Sequence, residues 1–476
     1  MLAGIFLFGQ RERRPFAMRQ KTYKLPLSGL LAAVGLAFAQ GAHAQTTTTA
    51  PMRAASAIST STSTTSATEA PEAVLTPDDL VRVVVQNNPA LLASMRTREV
   101  ATAAITSAGA LINPRIEMST GNNRPRLPSA VGGTVGGWGL SQFIENPSLR
   151  EARIAGARHA ERGSSQQVAV ATNELVAQVK LRAFEYLLRT EEASAAAEAL
   201  SILQQIKTRV RVRVDSGEAA RFELIKANAE VINAEQKLQT AKLQIEQTAL
   251  SINRLAAGAL PQRWTLAGKL SDAQETLSIE QATQSALLNN PELKALQAAL
   301  DRQEARVAEA RASRFPGLEL RLNQLRDPEI RQSALSVNLQ IPLLDKRSGP
   351  IAEANAESAR ASVLLQGRKD ELTQQVLIAS KSIEIARSRV NALSVGAIPE
   401  AEAALSVAQA AYRFGERGIL EVLDAQRLLR SINADLLDAR YQMQAARIDL
   451  NFLAGRYADA DINRRTANTA HPKDSK

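Results

Sequence analysis

Cysteine is absent from all 476 residues, which excludes disulfides, thiol nucleophiles, thiolate metal ligands and an acylated N-terminal cysteine together. Aromatic residues make up only 4% of the chain and histidines number three. His43, His159 and His471 are too scattered for metal-ligand spacing, and no nucleophile–base pair or phosphate-cradling loop accompanies them. Adjacent carboxylates such as Glu191 and Glu192 read as a solvated helix face. Neither an enzyme nor a bound cofactor or metal is expected. Beyond residue 44 there is no run of ~18 or more apolar residues, which excludes a membrane-spanning helix but leaves a β route into a membrane open. Charge of one sign is also scarce: the formal +10 falls to +5 once residues 1–44, with six Lys/Arg and one acid, are set aside. Without a basic run interleaved with aromatics, that excess reads as solvated surface rather than a nucleic-acid site.

What is present begins with an address. Arg19, Lys21 and Lys24 precede an apolar segment from Leu25 to Phe38 and then Ala42-His43-Ala44, the pattern of a cleavable secretory signal ending before Gln45. The separate apolar run within residues 1–16 and the cluster Arg11-Glu12-Arg13-Arg14 fit poorly with one signal, so Met18 is a candidate start. Residues 45–74 are mostly Thr, Ser and Ala and bury too little surface to order themselves, which gives a flexible leader. Residues 458–476 form a polar tail.

The rest is written twice. Asn87-Asn88-Pro89 returns as Asn289-Asn290-Pro291 and Asn113-Pro114 as Phe315-Pro316, both displaced by 202 positions. Gly217-Glu218, Glu223 and Ala227 return as Gly415-Glu416, Glu421 and Ala425, and Asn253-Arg254-Leu255-Ala256 as Asn451-Phe452-Leu453-Ala454, displaced by 198. A period this long makes each unit a half-structure rather than a stacked module. The reading is repeat 1 over 75–258, a connector over 259–278 and repeat 2 over 279–457.

Each repeat holds two kinds of segment. Leu224, Val231, Leu238, Ile245 and Ile252 recur every seven residues, with Ala227, Ala234, Ala241, Thr248 and Leu255 three positions behind, an a/d seam of a coiled coil. Val422, Leu429, Leu436, Met443 and Leu450 keep the register in the second half, followed by Ala425, Ile432, Ala439, Ala446 and Leu453. Strict sevens impose a left-handed supercoil. Upstream run helical stretches over about 151–213 and 351–413, joined to the seams by turns at Val214–Glu218 and Phe414–Gly418 in which glycine ends a helix. Each half therefore holds a long antiparallel hairpin. Between a short first helix and its hairpin, Gly317–Asn323 and Leu335–Ile341 alternate apolar with polar residues and read as strands. Arg115–Thr120 and Gly137–Glu145 are their noisier counterparts. Trp138, Phe143 and Phe315 near strand ends suit an interfacial aromatic belt or an ordinary core.

Such alternation fits a soluble one-faced sheet or a transmembrane wall. In lipid, four strands per chain leave open edges that must be closed by other copies. Two copies give eight strands and a filled lumen, three give twelve and room for a pore, which makes the trimer the physical favourite.

Taken in order, Asn-Asn-Pro after a short helix, strand pair, long helix, glycine turn and the terminal Leu450-Asn451-Phe452-Leu453-Ala454-Gly455, all duplicated, resemble the TolC-type outer membrane efflux protein family from about Leu75 to Tyr457. Ala108-Gly109-Ala110-Leu111-Ile112-Asn113-Pro114 is most similar to its CzcC-like heavy-metal branch. The resemblance implies a mainly α fold with a small β part, a duplicated protomer whose coiled-coil hairpins build an α-barrel and whose four strands contribute to a trimeric twelve-stranded outer membrane β-barrel. It implies a passive exit duct reaching into the periplasm, working with an adaptor and an inner-membrane pump. Heavy-metal cations are the implied cargo, with drug or polypeptide export as the alternative. Without soft-ligand clusters, metal would pass through uncaged. A secreted coiled-coil scaffold or a periplasmic adaptor is the rival class, although an adaptor would not repeat hairpin and strand pair together.

The resemblance also assigns sites. Val214, Gly217, Ala219, Phe414, Gly415 and Ile419 at the turns become adaptor-docking tips, although Asp215, Ser216 and Glu218 depart from the family's apolar version. Tyr412, Arg417, Glu421 and Asp424 match a periplasmic gate, with Lys226 and Arg221 as the expected counter-ions. Solvated coiled-coil flanks are the bland reading of the same residues.

Overall fold

The computed structural model describes residues 73–124, 126–129, 131–270 and 277–459. The expected signal and nearly all of the leader and tail lie outside them. In chain order the elements are β1 (Ala73–Leu75), α1 (Pro77–Asn87), α2 (Pro89–Gly109), β2 (Arg115–Asn123), β3 (Gly133–Glu145), α3 (Pro147–Asp215) and α4 (Arg221–Leu255). The second half follows with β4 (Trp264–Leu266), α5 (Ile279–Asn289), α6 (Pro291–Ala312), β5 (Gly317–Arg326), β6 (Arg331–Leu339), α7 (Ser348–Asn391), a π-helical turn (Ala392–Ala397), α8 (Ile398–Arg413) and α9 (Ile419–Leu453).

The duplicated Asn-Pro now has a physical meaning. It is a junction between two helices rather than the end of one. Asn88 caps α2 by accepting from the backbone N–H groups of Ala90 and Leu91, and its amide donates to the carbonyl of Leu255 at 3.0 Å. Asn290 repeats this at α6, accepting from Glu292 and Leu293 and donating to the Leu453 carbonyl at 3.0 Å. Proline at the first helical position needs no donor there. One side chain thus starts one helix and satisfies the end of another, locking the short helices onto the last turn of each seam. Replacing Asn290 by alanine removes all three bonds from a buried site and should cost about 1–2 kcal/mol in a denaturant titration.

Helix α3 runs unbroken for 69 residues, about 104 Å at the standard rise. Its upper part packs on α2 and α6, its lower part on α4 and α9. The second long stretch is not continuous as expected. It breaks at the π turn just before Pro399, whose ring has no N–H to give and collides with the carbonyl four residues back, so the turn widens. Every seam residue read from the sevens faces a neighbour: Val231, Ile252, Val422, Leu436, Leu450 and Leu453 are buried and none of the rest is exposed. The helices form a row α4, α3, α9 and α7–α8, with outer flanks on α4 and on α7–α8.

The strands make one antiparallel sheet in the order β2-β3-β5-β6, so β2 and β6 are open edges. A second pairing escaped the sequence reading: β1 and β4 join in parallel, Ala73 opposite Trp264, and the Trp264 ring stacks on Tyr186 with centroids 5.0 Å apart. Ala73 and Val74, assigned to the leader, therefore belong to the folded body. No helix among the described residues is long and apolar enough to cross a membrane.

Candidate functional site

Two regions carry functional geometry. In the sheet, cross-strand partners share a face, and the register gathers most apolar side chains on one face and most polar ones on the other. Ile116, Leu140, Leu322 and Leu335 stand in one rung, and Gln142, Leu320 and Val337 in the next. The opposite face carries Glu117, Gly139, Asn323 and Ala334, then Arg115, Ser141, Arg321 and Ser336. The apolar face is bare: Met118, Leu335, Val337 and Leu339 are all exposed. Trp138 lies on it opposite Gln324, and the indole N–H donates to the Gln324 amide oxygen at 2.7 Å. Phe143 points to the polar face, opposite Glu319, so of the three aromatics only Trp138 suits a belt inside the sheet.

The second region is the far end of the hairpins. Both turns close alike. Gly217 and Gly415 take left-handed backbone at φ 81° and 75°, and the N–H of the next residue reaches back five positions, Glu218 to the Arg213 carbonyl at 2.8 Å and Glu416 to Ala411 at 3.0 Å. Only the absent Cβ lets the chain reverse so tightly. Phe414 is 82% exposed at one tip. Gly217 and Gly415 are also exposed, Val214 and Ala219 half-buried. Ile419, expected among them, is 1% exposed and packs with Val210, Tyr412, Val422 and Leu423. Its apolar side chain is core, which removes it from the docking set.

The structure brings part of the expected gate together. Arg417 pairs with Glu421 at 2.8 Å, and Asp424 with Arg427 at 2.8 Å. Tyr412 is buried beneath the Arg213 guanidinium, which lies 4.7 Å from its ring centroid. Burial pushes its phenol above the ordinary tyrosine range, Arg213 opposing and Glu223 adding to the rise. Within one chain Lys226 and Arg221 do not pair with these acids. Lys226 is exposed and lies over the Phe222 ring at 5.5 Å, and neither residue forms an ion pair among the described residues. Within the chain the counter-ions are Arg417 and Arg427, one turn away on the acids' own side of the structure.

Sequence reasoning missed the centre of this network. Glu230 on α4 accepts from Arg427 at 2.5 Å and from Arg430 at 3.2 Å, both on α9, with its own side chain only 10% exposed. Burial disfavours the carboxylate, yet the two guanidinium groups outweigh it and hold the Glu230 pKa below the usual carboxylate range. The available signal was a single acid wedged between seam residues Ala227 and Val231. No group of three or more His, Cys, Asp or Glu residues able to hold a metal is found among the described residues.

Comparison with known proteins agrees with this geometry. The model of the outer membrane efflux protein family matches residues 80–258 and again 282–456, once per repeat. The chain is 27% identical over 315 residues to the cobalt-zinc-cadmium resistance protein CzcC of Cupriavidus metallidurans, covering 66% of this chain and 75% of that one. Its fold matches a membrane protein from Pseudomonas aeruginosa with TM-score 0.68 and 20% identity, covering 80% of this chain and 91% of that one. It also matches the outer membrane protein VceC of Vibrio cholerae with TM-score 0.67 and 16% identity, covering 80% and 96%. With one match on each half of a duplicated hairpin-and-strand fold, the chain belongs to the outer membrane efflux protein family, a family of outer membrane export channels rather than of enzymes.

Proposed function

We propose that three copies of this chain form a passive exit duct for heavy-metal cations, fed by an inner-membrane pump through a periplasmic adaptor. The observation that carries the reading is the sheet: one bare apolar face, one polar face and two unpaired edges. Water disfavours the first and lipid the last; insertion into the membrane covers the apolar face, and pairing β6 of one copy with β2 of the next closes the edges. Three copies make twelve strands, enough for an open lumen. The same symmetry suits the helices, since α4 leaves Ile225, Ile232, Leu243 and Leu250 exposed on one flank of the row, and α7–α8 leaves Val363, Ile378, Ile385 and Val407 exposed on the other.

Cargo rests on similarity to a cobalt-zinc-cadmium resistance protein. At the periplasmic end Glu421 and Asp424 from three chains would place six carboxylates around the entrance, a ring that draws cations in. Phe414 and the two glycine turns would meet the adaptor. Heat-labile trimers in the outer membrane fraction test the assembly, and restored zinc, cobalt or cadmium tolerance in a deletion strain tests the cargo. A mature chain that stays monomeric and soluble without detergent would discard the reading. For the gate, Glu421→Ala combined with Asp424→Ala should raise single-channel conductance or weaken block by divalent cations in planar bilayers; unaltered currents would remove these acids from it.

A further inference from the structure

The polar face of the sheet holds an ion pair that no single strand could build. Arg321 on β5 reaches diagonally past β3 to β2, where its guanidinium donates to the Glu117 carboxylate, while its Nε donates to the Asn323 amide oxygen at 3.1 Å. Gly139 lies between them in the Glu117–Asn323 rung. A Cβ there would sit 2.7 Å from the Asn323 oxygen, so a larger residue at 139 would push aside the amide that holds the Arg321 Nε. Arg321 is consequently laid along the wall, 37% exposed. Ser141 and Ser336 in its own rung, and Ala334 in the next, are too short to mask it.

Charge is balanced at this level. Over three successive rungs the polar face carries Arg115 and Arg321 against Glu117 and Glu319. Remove Glu117 and each chain has one positive charge in excess, held by a guanidinium no longer tied down. In a pore of three chains this becomes a ring of three unpaired cations, and charged rings of this kind decide which ions pass.

We propose that Glu117 is a selectivity-determining residue of the outer membrane duct, admitting cations by neutralising Arg321 and holding it against the lumen wall. The inference rests on the trimeric barrel reading, which places the polar face inside. It concerns the membrane end of the path, some 300 sequence positions from the Glu421 and Asp424 carboxylates.

The experiment is the reversal potential of purified trimers in planar bilayers under a potassium chloride gradient, in the native background and with Glu421→Ala and Asp424→Ala, so that the periplasmic acids cannot mask the result. Glu117→Gln should lower the cation-to-anion permeability ratio about threefold or more, through three uncompensated charges at one level of an aqueous pore. Arg321→Gln should raise it, and the double variant Glu117→Gln with Arg321→Gln should return towards the parent. Glu117→Gln is isosteric and Arg321→Gln shortens a side chain on a water-facing surface, and heat-labile trimers confirm that each assembles. Channels that form normally with an unchanged ratio in both backgrounds overturn the proposal alone. A parent that forms no channels overturns the barrel reading and the proposal with it.

Discussion

An arginine at Leu322 is expected to eliminate the assembled protein from the outer membrane. Leu322 lies mid-strand in β5, on the apolar face, between Leu140 and Leu335. If that face meets hydrocarbon, a guanidinium near the bilayer midplane costs about 2–4 kcal/mol per chain, hence roughly 6–12 kcal/mol for three copies. Few assemblies could absorb this. Arginine at Asn338 provides the control, because Asn338 lies on the polar face directly opposite Glu319 and gains a counter-ion there. Unheated and heated samples of the outer membrane fraction should show trimers for Asn338→Arg and none for Leu322→Arg. If Leu322→Arg trimers persist in normal amount, the exposed leucines do not face lipid, and the sheet is not a membrane wall.

The contrast between those two positions also shows what the sequence could reveal. In β5 and β6 the apolar and polar faces alternate cleanly, so Gly317–Asn323 and Leu335–Ile341 announced themselves by period. The strands β2 and β3 were harder because their polar face is built partly from Gly137, Gly139 and Ser141, residues that carry little polarity signal and are there to make room. Heptads were legible because the packing they reflect is local: each seam residue lies three or four positions from the next. Contacts between residues far apart in sequence left no such trace. The β1–β4 pair joins residues about 190 positions apart, and Ile419 differs from the exposed Phe414 only in which way a short turn directs it. Alignment of the two repeats puts Lys226 and Arg221 level with the acids, whereas the pairing is decided by which face of the helix looks across the interface. The π turn is the exception that was locally visible, since Pro399 stands in plain sight within a helical pattern.

The same distance hid Glu230, and its removal is expected to be the most damaging change at the periplasmic end. Glu230 ties α4 of the first repeat to Arg427 and Arg430 on α9 of the second, and Arg427 in turn holds Asp424. Breaking a fully buried pair costs about 3–5 kcal/mol, but Arg427 is half exposed and can be rehydrated, so about 2 kcal/mol is the better expectation for Glu230→Ala. Arg430, largely enclosed, would keep its charge without its acid. The measurable consequence is local: amide hydrogen exchange over residues 227–234 and 426–433 should quicken about thirtyfold at neutral pH, while the upper helices are unaffected. Acid should do the same to the native protein. Because the folded Glu230 pKa is depressed, its stabilisation is complete above the unfolded carboxylate value of about 4.3 and disappears as the pH falls through the lower folded one. Native and Glu230→Ala proteins should therefore differ fully at pH 7, begin to converge as the pH falls below about 4.3, and become alike only below the depressed folded value. Equal exchange rates at pH 7 would mean that the two hairpins are held by their apolar seams alone. In that case the link from Asp424 through Arg427 to α4 would have no mechanical role at the entrance, and Glu421 and Asp424 would act there by charge only.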